Sequence, residues 1–401
     1  MHMRLVRTAA RTAAAGAGAV VVLGLASAQA AMAVPPPVVN VPCSATVLAT
    51  DIAGSVSGET LNLATFCVYK LDSALPEISQ DLTIQNNQGT IERSYFADTP
   101  DFSIFTVTSG HLVLNQVNLR NGDSQGGGIS PPADNSGNGG AIYNNGGDVT
   151  VNGGTLSGNT AANLGGAIFS QNGDLTVNGA VFTGNQADDG GAIATLPSDP
   201  ATVTGSQFSG NSAVDGGGAI YIEDSMAVIH CNFTGNTAGD DGGAIYIEDG
   251  SPTVTGSGFY KNQAGNVGGG IYNDDIVTVT DSTFRLGRAL DGGGFYNDAT
   301  ATLNDSTFTY NTAADSGGGF YNDATATLNG NALTYNTAVF GGGFYNNDTA
   351  TITDSQIFRN KAYVDGGGIY NDGVVTLTSS VVNENHPDNC APAASVAGCT
   401  G

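Results

Sequence analysis

The chain has 401 residues, with only 11 Lys and Arg against 36 Asp and Glu, a formal net charge of −25 and glycine at 59 positions. So acidic a chain lacks the basic footprint that nucleic acid requires, and nucleic-acid partners are excluded. Low charge density and abundant glycine would suit disorder, unless apolar residues recur in a register that can build a core.

At the N-terminus, Arg4, Arg7 and Arg11 precede the uncharged stretch Ala13 to Ala26, and Ala28-Gln29-Ala30 and Ala31-Met32-Ala33 follow in A-x-A spacing. This is the pattern of a secretory signal peptide over 1–33, and it predicts a chain that is secreted or held at the cell surface. The apolar run is short for a bilayer span, and no later segment of the mature chain is long and apolar enough to make one. Export makes the five cysteines read as two disulfides and a spare. Cys43 with Cys67 staples the opening region, Cys390 with Cys399 staples the tail, and Cys231 stays single in a column otherwise filled mostly by Ser.

The opening region spans 34–122, and DSQGGGISPPADNSGN over 123–138 reads as a loop thrown out from an early coil. From 139 to 385 one sentence is written ten times. Its opening letters are GGAIY, GGAIF, GGAIA, GGGIY or GGGFY, and its third residue falls at Ala141, Ala167, Ala192, Ala219, Ala244, Gly270, Gly294, Gly319, Gly343 and Gly368. The spacings run from 24 to 27 residues, a solenoid period. Gly, Thr, Asn and Val dominate, which excludes helical repeats.

Alternation gives the strands. A column from Val151 and Val177 through Val254 to Leu377 is never polar and points inward, while the preceding residue, nearly always Thr, points out. A second inward column runs from Leu156 and Phe182 to Val382, and a third from Ile142 to Ile369. Three columns imply three short strands per coil: an all-β, parallel β-helix. Asn159, Asn185, Asn211, Asn236, Asn262, Asn311, Asn336, Asn360 and Asn385 mark one corner, where stacked amides can satisfy turn backbone; Gly287 breaks the row once. Residues 386–401 form the tail.

These residues carry a resemblance. FTGN at Phe233–Asn236 followed by GGAI at Gly242–Ile245 is similar to the repeat of the chlamydial polymorphic outer membrane proteins. Cys43 to Gly122 resembles the N-terminal cap, and NHPDNC at Asn385–Cys390 the closing motif, of secreted actinobacterial β-helix proteins. The resemblance implies a right-handed helix of the pectin-lyase-like fold and a surface adhesin, without the family's membrane barrel.

Two outward columns are the candidate binding face. Tyr221, Tyr246, Tyr272, Tyr296, Tyr321, Tyr345 and Tyr370 form one, and Glu223, Glu248, Asp274, Asp298, Asp323 and Asp372 the other. Tyrosines flanked by carboxylates can hold a glycan or a surface protein, and a row of carboxylates one coil apart can take up Ca2+. The bland role for both is shielding and solubility. The leading function is adhesion or extracellular matrix and glycan binding by a monomer. The alternative is a polysaccharide lyase or glycoside hydrolase, for which Arg285 with Arg288 and the acidic pairs Asp188-Asp189 and Asp240-Asp241 are the suggestive residues.

Overall fold

The computed structural model describes residues 36–86, 88–96, 98–125, 137–197 and 200–399. The leader and most of the 123–138 loop lie outside them. Each coil runs through the same elements in turn, as in Ile142–Asn145, Asp148–Asn152, Thr155–Ser157 and Thr160–Ala161. The next coil lies directly against it, with Ile142 beside Ile168, Val151 beside Val177 and Leu156 beside Phe182. Stacking the coils yields four parallel sheets of 14, 13, 12 and 10 strands. The molecule is a parallel β-solenoid, consistent with a right-handed β-helix.

Three of these sheets are the ones the inward columns predict. The fourth is an addition. It is a two-residue ladder at the corner where Ala187 lies beside Ala213, Ala213 beside Ala238 and Ala238 beside Ala264. Small inward side chains, alanine in coil after coil and Ser124 at the start, let the backbones approach and pair at this corner. The opening region, read from the sequence as a cap with the first coils over 34–122, starts the stack. Val38–Val41, Glu59–Leu63, Leu82–Gln85 and His111–Asn115 stack as the first strands of the 14-stranded sheet. Asp123–Ser124, at the start of the expected loop, already belongs to the two-residue ladder.

The core is a set of like-on-like stacks. Phe182, Phe208, Phe233, Phe259, Phe284 and Phe308 are all buried, and successive rings stack at 4.5–4.8 Å between centroids. That spacing is the rise per coil, which parallel strand pairing fixes. The repeated Gly-Gly follows from backbone geometry. Gly217 has φ +64°, and a Cβ on Gly218 would fall 2.3 Å from the Gly243 carbonyl oxygen.

The expected Asn corner is a hydrogen-bonded ladder. The Asn185 side chain donates to Asn211 Oδ1 at 2.9 Å, and Asn211 donates in turn to Asn236 at 3.0 Å. At Gly287 the ladder is interrupted for a reason: a Cβ there would lie 2.3 Å from the Gly293 carbonyl oxygen. Gly287→Asn is therefore expected to destabilise the protein by about 1–3 kcal/mol through overpacking, although it completes the row. Urea unfolding checks this, and a gain in stability would contradict it.

Both ends are closed by a disulfide. Cys43–Cys67 ties down the helix Ala45–Gly54, which Ser44 caps and which buries Leu48 and Ile52 over the first coils. At the other end Cys390–Ala391 pairs beside Ile369 and Tyr370, Val396 enters the core, and Cys390–Cys399 closes the turn. Cys231 is free and buried, its thiol donating to the Val203 and Ile229 carbonyls at 3.4 Å, and burial pushes it up to about 11. The native protein should not react with a neutral-pH thiol reagent, whereas the unfolded protein should react at Cys231 alone. Peptide mapping reads the site.

Candidate functional site

The tyrosines and their flanking acids arise on the 12-stranded sheet, where the Gly-Gly turn delivers the chain into short strands such as Ile220–Ile222 and Ile245–Ile247. In each, the first residue enters the core and the tyrosine stands on the outer face. The seven tyrosines do form one continuous stack. Tyr296–Tyr321 and Tyr321–Tyr345 lie nearly parallel at 4.6 and 4.7 Å, and Tyr345–Tyr370 at 5.1 Å.

The stack corrects one expectation, because outward does not mean exposed. Tyr221 is 6% exposed and Tyr272 9%, while Tyr246, Tyr296, Tyr321, Tyr345 and Tyr370 are half-buried. The turn glycines close over them: a Cβ on Gly317 would fall 2.7 Å from Tyr321 Cβ. Flanking rings cover most of what remains. Burial and the neighbouring carboxylates hold the hydroxyls of this row above their usual range, so they stay protonated donors.

Those donors engage the acidic column. The Tyr221 hydroxyl donates to Glu223 at 2.8 Å and also to Glu248, Tyr272 to Asp298 at 3.3 Å, and Tyr345 to Asp372 at 2.7 Å. Asp323 accepts instead from the Asn347 amide, and burial together with neighbouring acids lifts Asp274. The column stays one carboxylate per coil. Among the described residues no group of three or more His, Cys, Asp and Glu is arranged to hold a metal ion.

The acids do converge at one place, on the turn side of the same edge. A cavity of about 290 Å³ is lined by Asp189, Asp215, Gly216, Tyr221, Asp240, Asp241, Tyr246 and Glu248. It is open because Gly216 stands where the neighbouring coils carry Asp189 and Asp241. A Cβ on Gly216 would fall 2.6 Å from the Tyr246 ring. Asp189 sits deepest in charge terms: burial first, then Asp215, Asp188 and Glu248, raise it to about 6, against the Gly216 N–H that donates to it at 2.8 Å. The sequence-derived acids Asp189, Asp240 and Asp241 are thus brought together, while Asp188 is not among the lining residues and Asp215 joins from the coil between. Arg285 and Arg288 are exposed on different sheets, with no part in this cavity.

A raised carboxylate weakens the folded state as it ionises. The stabilisation from protonated Asp189 is complete below the ordinary carboxylate range and is lost as pH rises through about 6. Asp189→Asn keeps the acceptor for Gly216 without the charge. Discounted for solvent on its open side, the variant should gain about 1–2 kcal/mol near neutral pH and nothing near pH 4. Paired urea unfolding at the two pH values measures it.

A second polar row was not foreseen. Asn273, Asn297, Asn322, Asn346 and Asn371, between each tyrosine and its acid, point inward and are buried. Each side chain donates to the next at 2.8–2.9 Å, so the tyrosine–acid edge is anchored from within.

The fold and its edge define a parallel β-helix of repeated coils. The family model described as the Chlamydia polymorphic membrane protein (Chlamydia_PMP) repeat matches residues 153–171, 179–196, 205–223, 230–248 and 305–323. Among solved structures, the crystal structure of endo-xylogalacturonan hydrolase from Aspergillus tubingensis aligns over 84% of this chain and 92% of its own, at 12% identity and a TM-score of 0.34. The comparison with curated proteins gives no match. Among the described residues no helix is long and apolar enough to cross a membrane.

Proposed function

We propose that this chain is an exported β-helix that acts as a monomer at or outside the cell surface, presenting a repetitive face for adhesion or for binding matrix glycans. The observation that carries the reading is repetition. One unit, a carboxylate at the surface over a largely covered tyrosine, recurs on coil after coil between Tyr221 and Tyr370, broken only where Asn347 replaces the acid. A surface repeated along a rigid axis suits a polymeric or multivalent partner, since linked weak contacts combine into avidity. The repeats matching those of a membrane-protein family, and the signal-peptide pattern at 1–33, agree with a surface or secreted location. A glycan-array screen run beside reducing-sugar and unsaturated-product assays tests the reading. Binding without product supports it; no binding to any surface glycan or protein would sink it.

The acidic cavity favours a second reading, glycoside hydrolysis. Asp189, raised to about 6, is suited to donate a proton beside a second carboxylate of the same cavity, the pairing that two-carboxylate hydrolases use. The lyase form is less suited to this cavity, whose lining includes no Lys or Arg to act as base. Reducing-sugar release that Asp189→Asn abolishes would establish the hydrolase, and release unchanged by that substitution would remove it.

A further inference from the structure

Beyond Arg4, Arg7 and Arg11 of the leader, the basic residues of this acidic chain are not scattered. Lys70, Arg93 and Arg120, in the first coils, pair with Glu92, Asp101 and Asp123. The other five lie between 261 and 361, and among the described residues Lys261, Arg285, Arg288 and Lys361 make no ion pair with a carboxylate. Unpaired cations on a surface of the opposite sign are placed for something other than internal pairing.

Lys261 and Arg285, with Arg359, alternate with aromatic rings along the outer edge of the 13-stranded sheet, while Arg288 and Lys361 lie around the corner on the 10-stranded one. The Lys261 ammonium sits 5.1 Å from the Tyr260 ring, and the Arg285 guanidinium lies 5.6 Å from Tyr260 and 5.9 Å from Tyr310. Tyr310 stacks on Tyr335 at 5.1 Å and 10°, and Arg359 donates to the Tyr335 hydroxyl at 3.0 Å. This makes one connected row across five coils. Unlike the tyrosine stack described above, it faces water: Tyr310 is 47% exposed and Tyr335 39%.

The backbone supplies an independent observation. The turn position after each of these strands is left-handed from Asn121 onward, and in four successive coils it is glycine, Gly158, Gly184, Gly210 and Gly235, with φ 59–63°. From the next coil onward the same turn holds Lys261, Leu286, Tyr310, Tyr335 and Arg359 at φ 55–58°. Bulky residues rarely adopt that conformation, and such strain concentrates at functional sites. Nothing in the packing demands them, for a Cβ at Gly184, Gly210 or Gly235 meets nothing within 4 Å. Around the same corner a cavity of about 280 Å³, lined by Gln263, Arg288 and Leu290 among others, adds a recess beside the row.

We propose that the edge from Tyr260 to Arg359 is a binding track for a linear anionic glycan lying along the rod axis. This rests on the adhesive reading above and names its ligand class and its place. Sugar hydroxyls meet the exposed edges and hydroxyl groups of Tyr310 and Tyr335, whose faces are turned to each other, and carboxylate or sulfate groups pair with Lys261, Arg285 and, around the corner, Arg288. The rise of ~4.8 Å per coil is close to the length of one sugar unit in an extended chain, so successive units meet successive rungs. A single-stranded nucleic acid suits the row less well, because its bases need open aromatic faces to stack on, and Tyr310 and Tyr335 turn their faces to each other.

The test measures binding of the full exported chain to a mannuronate oligosaccharide, a sulfated oligosaccharide and a neutral cello-oligosaccharide of matched length, with a single-stranded DNA oligomer beside them. The two anionic glycans should bind, the neutral one should not, and their ranking tells carboxylate from sulfate. Arg285→Ser should weaken binding about tenfold, the loss expected of one charge-assisted contact. Tyr310→Gly with Tyr335→Gly should weaken it comparably while the protein melts no lower than the parent, since glycine is what the turn takes elsewhere. Anionic glycan binding untouched by these substitutions would move the site off this edge and leave the adhesive reading standing. Binding to other surface ligands but to no anionic glycan, or preference for DNA, would overturn the ligand class. No binding to anything would remove the adhesive reading with it.

Discussion

Val254→Asp should cost the protein several kcal/mol, and Thr253→Asp, one residue earlier, under about 1 kcal/mol. Val254 is fully buried in the 14-stranded sheet, between Val228 and Val279, with coils above and below. An aspartate there has no cation or donor within the apolar column, so it must be buried as an uncompensated charge or take up a proton. Thr253 is exposed beside Ala227 and Thr278, and Asp in its place loses only strand propensity. Because each coil is stabilised by its two neighbours, the damage at Val254 also uncouples the coils on either side. Urea unfolding should give an early transition in Val254→Asp and a near-parental one in Thr253→Asp. Equal losses in the two would mean that the strand register is wrong.

That register was legible because burial forces a strict alternation, and ten copies average out local noise. Val151 to Leu377, Phe182 to Phe308 and the Asn corner could be placed from the letters alone, as could Cys43–Cys67, Cys390–Cys399 and the single Cys231. Alternation fails where polarity and direction part company. The column of Ile222, Ile247, Asn273, Asn297, Asn322, Asn346 and Asn371 points inward throughout, yet five of these seven are amides, so hydropathy hides it. Those asparagines are tolerated inside because each finds the next one's oxygen, a property of the stack that a single coil does not possess. The tyrosines failed in the opposite sense: alternation turns them outward correctly, but the Gly-Gly turn that covers them belongs to the three-dimensional corner. Asp189, Asp215 and Asp241 come from successive coils and meet only after stacking, around the gap that Gly216 leaves. The row from Tyr260 to Arg359 was hidden for a similar reason, since its members occupy two adjacent positions in the repeat and are joined only by contacts between coils.

Asn236→Leu should destabilise the protein by roughly 3–5 kcal/mol, because it strands several buried groups at once. The Asn236 side chain donates to the Phe208 carbonyl at 3.1 Å and to Asn262 Oδ1 at 3.0 Å, and its oxygen accepts from both the backbone N–H and the side chain of Asn211 at 3.0 Å. Leucine keeps the branched shape with bulkier ends, so no cavity enters the comparison. What remains is an Asn211 N–H without its acceptor and a Phe208 carbonyl without its donor, both enclosed and beyond the reach of water. The matched control is Asn178→Leu, where the side chain makes a like bond to Asn152 at 2.9 Å but on the exposed face. Water replaces the lost partner there, and the cost should stay under about 1 kcal/mol. Hydrogen exchange then separates hydrogen bonding from packing. In Asn236→Leu the Asn211 amide should lose protection beyond the global change in stability, whereas a mere packing defect would lower protection in that coil evenly. Similar small losses in both variants would mean that the ladder is wetted and that the corner is held by its apolar neighbours alone.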